Sequence, residues 1–312
     1  MTAAELPPVV VLMGPTASGK SRLAIELADA LNGEIVSVDS SLVYRGMDIG
    51  TAKPTPAERE AVPHHLIDIL DPSEAFSTGQ FRDQALALIA DIIARGRLPV
   101  LAGGTMLYFN ALLRGLAELP SADPAIRREI EARAALEGWH ALHAELARID
   151  PPAAARIHPN DPQRLQRALE VFYITGRTLT DLCEGSRTPD LPFRPLRLVL
   201  APSSRAVLAE RIAERFRRML EEGFLEEVEV LYRRGDLNET LPSIRAVGYR
   251  QAWAYLKGDC DFDTFVERAI IATRQFAKRQ YTWLRKETKA TWLESQARGL
   301  KERAVMEVRA ML

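Results

Sequence analysis

One octapeptide constrains this 312-residue chain more than any other feature. Residues Gly14-Pro15-Thr16-Ala17-Ser18-Gly19-Lys20-Ser21 fit the pattern G-x-x-x-x-G-K-[ST] in full. Before them stands Val9–Met13 (VVVLM), a continuous run rich in β-branched residues. Such a run suits a parallel strand covered on both faces. After them, Lys20–Leu31 places apolar residues at Leu23, Ile25, Leu27, Ala28 and Leu31, a helical spacing. Strand, glycine-rich turn and helix in that order make a cradle of N–H groups at a helix N-terminus, which holds phosphate oxygens. Gly14 and Gly19 permit the turn, Lys20 sets a positive charge against the terminal phosphates, and the Ser21 hydroxyl can join a Mg²⁺ shell. The loop recognises phosphates and not the remainder of the ligand. ATP is the default, but any compound bearing a diphosphate would fit.

The flanking sequence repeats the alternation. Glu34–Val38 and Leu98–Ala102 read as short buried strands, and Phe81–Ala94 as a helix. This predicts an α/β fold, a P-loop NTPase-like, doubly wound parallel sheet flanked by helices. Neighbouring strands of such a sheet bring their C-terminal ends beside the phosphate loop, so Asp39, which follows Ile35–Val38, is expected near the phosphates. It could organise Mg²⁺ or take a proton from a nucleophile. Leu98–Ala102 ends in Gly103-Gly104-Thr105 without an acid, which argues against a motor ATPase.

The pattern changes at Leu119–Pro124. From there to about Gly185 the chain reads helical, with Asp123 able to cap a helix starting at Pro124. Arg187–Pro195 holds three prolines and reads as an extended connector, and Leu196–Ala201 returns to the strand type. The expected organisation is a core of residues 1–117 and 196–312, interrupted by a helical insertion over 118–195. Farther on, Arg205–Glu222, Phe224–Arg233 and Asp263–Lys286 read as helices, with a last strand at Ala290–Leu293.

Composition excludes several classes. With 47% hydrophobic and 27% charged residues the chain is neither disordered nor a disulfide scaffold. A net charge of -1 means that any polyanion must meet local basic patches. Cys183 and Cys260 are isolated, so no zinc ribbon or dithiol centre is expected, and a reducing compartment suits them. Met1–Pro8 lacks basic residues, and Val9–Met13 is far shorter than a signal core or a span of about 20 residues. A cytoplasmic protein, not bound to membrane, is expected.

Six blocks carry a resemblance. GPTASGKS (14–21), SVDSSLVYRGMDIGTAKP (37–54), HHLID (64–68), LAGGTMLY (101–108), NDPQRLQRALEV (160–171) and SIRAVGYRQ (243–251), in this order, resemble the bacterial tRNA dimethylallyltransferases. The resemblance implies transfer of the dimethylallyl group from dimethylallyl diphosphate to N6 of the adenosine just 3′ of the anticodon. Pyrophosphate leaves, and Mg²⁺ is required. The phosphate loop then serves as a leaving-group cradle, where donors and Lys20 meet developing charge. By the same resemblance Asp39 accepts the N6 proton, Thr16 binds diphosphate, and Thr105 lies near the adenosine. Arg215, in Glu214-Arg215-Phe216, is expected by the resemblance to be a further diphosphate contact.

An adenine in a stacked loop must be splayed out to react, so the resemblance also implies surfaces that grip the tRNA anticodon stem-loop. Asp39-Ser40-Ser41-Leu42 resembles the segment that touches the target nucleotide. Gln163-Arg164-Leu165-Gln166-Arg167 lies in the insertion, with Gln163, Arg164 and Arg167 able to share a helix face. Arg245, Gly248, Tyr249 and Arg250 combine charge, close approach and base stacking. Arg274, Lys278, Arg279, Arg285 and Lys286, interleaved with Tyr281 and Trp283, form a local basic cluster. His64 and His65 are expected to be structural. No dimer motif is visible, so a monomer without a stable protein partner is expected. Two other readings compete: an ATP-dependent small-molecule kinase, which leaves blocks 163–167 and 243–250 without a role, and a nucleotide-dependent RNA-binding protein without bond chemistry.

Overall fold

The computed structural model describes residues 6–184 and 190–312. The first half of the core runs β1 (Pro8–Met13), α1 (Lys20–Ala30), β2 (Gly33–Val38), α2 (Pro56–Ala61), β3 (His64–His65), α3 (Thr78–Ala94), β4 (Leu98–Gly103) and α4 (Met106–Arg114). A helical stretch follows, with α5 (Pro124–Glu137), α6 (Trp139–Ile149), α7 (Pro151–Arg156), α8 (Pro162–Thr175) and α9 (Leu179–Glu184). The chain then returns through β5 (Arg194–Ala201), α10 (Arg205–Glu221), α11 (Phe224–Tyr232), α12 (Tyr249–Leu256), α13 (Phe262–Leu284), β6 (Thr291–Glu294) and α14 (Leu300–Met311).

The six strands form one parallel sheet in the order β3-β2-β4-β1-β5-β6. Every residue of Val9–Met13 is fully buried, as its unbroken apolar run requires. Alternation along β1 divides the core. Val10 and Leu12 join Leu23 and Leu27 of α1 and Val308 of α14. Val9, Val11 and Met13 join Phe81 and Ile89 of α3 and Phe109 of α4. A third apolar cluster, centred on Phe216, Phe224, Tyr249 and Phe265, packs α10–α13 together.

The sheet order departs from the arrangement expected for Asp39. β2 does not adjoin β1; β4 lies between them. Hydrophobic periodicity shows that a segment is a buried strand but not which strand lies beside which.

The chain divides into two compact units, the part through Leu113 with Leu191–Leu312, and Arg114–Asp190. Sequence composition drew these borders at 118 and 195; the structure draws the first at the end of α4. Arg187–Thr188–Pro189 of the expected connector lie outside the described residues. Within the helical unit, Asp123 caps α5 by accepting from the N–H groups of Ala125 and Ile126, with Pro124 in the first turn. Ile130, Leu142, Leu146, Leu165 and Leu169 form its core. Among the described residues no helix is long and apolar enough to cross a membrane.

Candidate active site

The phosphate loop is a left-handed turn between β1 and α1. Gly19 has φ +91° and Ala17 φ +61°. Gly14 is required for a different reason, because a Cβ there would lie 2.3 Å from the Leu200 carbonyl oxygen of β5. The close approach of loop to sheet leaves no room for a side chain. Lys20 donates from Nζ to the Pro15 carbonyl at 2.7 Å, folding back over the loop. Burial pushes the Lys20 ammonium down to about 8, against the favourable field of Asp39 and with a further push from Arg215. Burial likewise lowers Arg215, again opposed by Asp39. Lys20, Asp39 and Arg215 line one cavity. The Ser18 hydroxyl is buried and has no hydrogen-bond partner among the described residues, as befits a donor waiting for an anion.

Asp39 reaches this place across the end of β4. Val38 and Gly103 are register partners. A Cβ on Gly103 would lie 2.0 Å from the Val38 oxygen, and one on Gly104 would lie 2.4 Å from Nε2 of Gln280. Two glycines therefore let the tip of β2 close toward the phosphate loop despite the intervening strand. Asp39 Oδ1 accepts from the Ser41 N–H at 2.9 Å. Thr105 Oγ1 accepts from the Ser40 N–H at 3.0 Å, and the Thr105 N–H donates to the Val38 oxygen at 3.1 Å. Thr105 and the 39–41 turn are thus locked together.

Two cavities meet at the loop. The smaller, about 440 Å³, is lined by Thr16, Asp39, Ser40, Thr105, Arg245 and Gln280 on its polar side. Tyr44, Phe76, Ile212, Phe216 and Phe276 supply an apolar wall. The larger, about 1210 Å³, opens on Ser18, Gly19, Ser21, Arg22, Arg211 and Arg218. Lys20, Ser21 and Arg215 line both. The smaller cavity offers a carboxylate, hydroxyls, apolar surface and the cations of Lys20, Arg215, Arg245 and Arg279; the larger offers loop N–H groups and further cations, with Glu26, Asp48, Glu214, Glu222 and Glu302 also on its wall.

The 37–54 block folds into a braced loop. Lys53, almost fully buried, donates to the Tyr44 oxygen and pairs with Asp48 and Asp68 at 2.5 Å each. Glu227 accepts from the N–H groups of Asp48, Ile49 and Gly50 at 2.7–3.1 Å and from the Tyr249 hydroxyl at 2.5 Å. This corrects the expectation for Tyr249. Its ring is fully buried against Phe224 and its hydroxyl is committed, so it cannot stack on a base. Gly248 is buried in a left-handed φ of +94°, while Arg245 and Arg250 are exposed. Arg250 lies outside both cavity linings.

The 163–167 stretch is likewise split. Gln163 and Arg164 are exposed on the first turn of α8. Leu165 is fully buried in the helical core, which corrects its assignment as an RNA contact. Gln166 donates to the Arg127 oxygen and to Glu131. Arg167 turns inward, pairing with the buried Glu170 at 2.6 Å and donating to the Pro120 oxygen at 2.7 Å. On α13, Arg274, Lys278 and Arg279 are exposed, as are Arg285 and Lys286 just after it. Trp283 is 40% exposed, with Lys286 over its ring at 5.6 Å. His65 holds Glu34 at 2.7 Å and His64 holds the Val62 oxygen, both structural contacts at the sheet edge.

Sequence reasoning missed Gln280 and Glu227. Gln280 interrupts the apolar stripe Ala269–Ala277–Leu284 on the buried face of α13, a polar residue at a core position. Nothing marks Glu227 among the acids of α11.

The chain is similar to known proteins over nearly all its length. The family model for IPP transferase matches residues 42–287. A tRNA dimethylallyltransferase of Methylococcus capsulatus (strain Bath) is 88% identical over all 312 residues and the full length of both chains. One from Thioalkalivibrio sulfidiphilus is 64% identical over 89% of this chain and 87% of its own. Among solved structures, the tRNA isopentenylpyrophosphate transferase of Bacillus halodurans is 41% identical with TM-score 0.71, covering 98% of this chain and 95% of its own. A eukaryotic dimethylallyltransferase captured acting on tRNA is 29% identical with TM-score 0.81, over 96% of this chain and 78% of its own. The phosphate loop, the strand-end carboxylate and these likenesses agree: the chain belongs to the tRNA dimethylallyltransferase, or IPP transferase, family.

Proposed function

We propose that this chain transfers the dimethylallyl group of dimethylallyl diphosphate to N6 of the adenosine 3′ to the anticodon in tRNA, releasing pyrophosphate. The observation that carries this reading is that Lys20, Arg215 and Asp39 line the same cavity, the first two at its junction with the larger one. The phosphate loop, Lys20 and Arg215 hold the diphosphate. The Ser18 hydroxyl supplies an unengaged donor. The splayed adenine enters the smaller cavity beside Asp39 and Thr105. As the N6–C1 bond forms, the C1–O bond breaks and its electron pair goes to the diphosphate. Asp39 takes the N6 proton. Positive charge on the loop side stabilises the leaving group where charge develops. The apolar wall excludes water from the allylic carbon.

Mg²⁺ fits the donor set. Among the described residues no group of three or more His, Cys, Asp or Glu could hold a metal alone. Mg²⁺ characteristically uses one or two protein oxygens and completes its shell with water and substrate phosphates. Ser21, which lines both cavities, would hold it together with water and the diphosphate oxygens. When bound, it neutralises part of the diphosphate charge.

Gln163, Arg164, Arg245, Arg250 and the basic side of α13 are the exposed groups available to the anticodon stem-loop. All the groups assigned to the chemistry come from one compact unit of the chain, and a monomer without a stable protein partner is part of the proposal. A tRNA substrate supports a cytoplasmic location as part of this reading. The kinase alternative is not favoured by family membership. The test is mass spectrometry of nucleosides after incubating the protein with unmodified tRNA, Mg²⁺ and either dimethylallyl diphosphate or ATP. Added C5H8 on adenosine, with the prenyl donor alone, is expected; ATP consumption with a small acceptor and unmodified adenosine would overturn the reading.

A further inference from the structure

We propose that Gln280 is a positioning residue that sets the leaving-group loop against the acceptor side of the site. The inference rests on the prenyl-transfer reading. Gln280 is 4% exposed. Its Oε1 accepts from the Thr16 N–H at 2.8 Å, and its Nε2 donates to the Gly104 oxygen at 2.8 Å. The two ends of the amide need opposite partners, so its orientation is fixed by chemistry. Gly104 makes room for it, since a Cβ there would meet Nε2 at 2.4 Å.

This amide bridges two loops that the sheet no longer joins. The β1–β4 ladder ends at Met13 and Gly103. Beyond that pair, Gln280 ties Thr16 of the phosphate loop to Gly104. Thr105 follows Gly104 and holds Ser40, the neighbour of Asp39. Two hydrogen-bonded links, joined by the Gly104–Thr105 peptide bond, thus run from the diphosphate cradle through Gln280 and Thr105 to the turn that carries Asp39. Displacement at C1 requires the breaking C–O bond and the attacking N6 to be aligned, and misplacement by about 1 Å costs about 10²-fold in rate. Gln280 touches neither reacting atom; it sets their separation. Because the Thr16 N–H is engaged by Gln280, Thr16 can meet the diphosphate only through its hydroxyl.

The test compares Gln280→Leu, which keeps the bulk without the amide, with Gln280→Glu, which keeps the acceptor for Thr16 and loses the donor to Gly104. Prenyl transfer to tRNA is measured together with the dissociation constant and binding stoichiometry of dimethylallyl diphosphate by calorimetry. For Gln280→Leu, kcat per donor-binding site should fall by about 10²-fold. The donor Kd and the KM for tRNA should stay within about threefold, and Gln280→Glu should fall between that variant and wild type. A structural role alone would lower the stoichiometry and leave kcat per binding site unchanged; that result overturns the inference. Loss of donor affinity with kcat retained overturns it as well. If Gln280→Leu fails to fold, Gln280→Glu decides, and wild-type kcat in that variant refutes the assignment. A wild-type protein that transfers nothing refutes the prenyl-transfer reading itself, a result separate from any variant's.

Discussion

The lowered Lys20 ammonium makes donor binding depend on pH in a way that can be worked out from the structure. Its ordinary value is 10.5 and in the folded protein it is pushed down to about 8, chiefly by burial. At about 1.36 kcal/mol per pH unit, holding this charge in the empty site costs about 3 kcal/mol. The folded value lies below the unfolded one, so the unfolded chain binds the extra proton between about pH 8 and 10.5. Lys20 therefore disfavours folding at pH below 8, and the penalty is relieved as pH rises through that window. A diphosphate reverses the balance, because it binds the protonated site. The apparent Kd should follow the fraction of protonated Lys20. It should be nearly flat below pH 7 and about tenfold weaker at pH 9 than at pH 7.

The assay is calorimetric titration with dimethylallyl diphosphate, without RNA, at constant ionic strength and Mg²⁺ from pH 6.5 to 9.5. Lys20→Arg supplies the control, because a guanidinium does not titrate in this range. Its affinity should be flat with pH. Lys20→Met should bind weakly and equally at every pH. A wild-type Kd constant within about twofold across pH 7–9 would refute the argument, since a tenfold change is what protonation linkage requires. A fall in Lys20→Arg matching that of wild type would show that another group titrates.

Three further outcomes are expected. Asp39→Ala should reduce turnover by about 10²–10⁴-fold while the Kd for dimethylallyl diphosphate changes little, as loss of a general base does; near-normal turnover in a single-turnover assay removes Asp39 from the mechanism. Leu165→Ala should cost about 2–5 kcal/mol in denaturant unfolding of the helical unit, as expected for a fully buried leucine, and an undiminished midpoint would contradict its core placement. Gly103→Ala, whose Cβ would lie 2.0 Å from the Val38 oxygen, should destabilise the protein by about 1–3 kcal/mol or more and lower kcat by moving Asp39; a variant with wild-type melting and turnover would contradict the close approach.

The parts of the site that the sequence disclosed are those whose chemistry is local. The phosphate loop needs eight consecutive residues and the elements on either side, all within Val9–Ala30. Asp39 is legible as the residue after a buried strand. Leu165 and Tyr249 misled because a motif marks neighbours together without showing which way each points. In α8 Arg164 points out and Leu165 into the core, and in α12 Tyr249 points into the core and Arg250 out. Gln280 and Glu227 were hidden because their partners lie far away in sequence. Gln280 spans 264 residues to Thr16, and Glu227 spans 177–179 to the 48–50 loop. The order of β1, β4 and β2 was hidden for the same reason, since parallel pairing is set by crossovers and not by composition.

That strand order bears directly on how opposite charges coexist in the site. Departure of a diphosphate needs cations, and deprotonation of N6 needs a carboxylate. If placed in contact, the two would neutralise each other. Among the described residues no ion pair joins Asp39 to Lys20 or Arg215, although each feels the field of Asp39. Lys20 instead rests on the Pro15 carbonyl, and Asp39 on the N–H of Ser41. Interposing β4 sets the carboxylate one strand away from the phosphate loop, and the glycines at its end keep that gap from becoming wider. The separation can persist only if neither loop relaxes toward the other. The Gln280 amide, the Thr105–Ser40 bond and the Glu227 brace on the 48–50 loop are the contacts that oppose such relaxation. A substrate pair entering between them meets cations on the side of the leaving group and an uncommitted carboxylate oxygen on the side of the nucleophile.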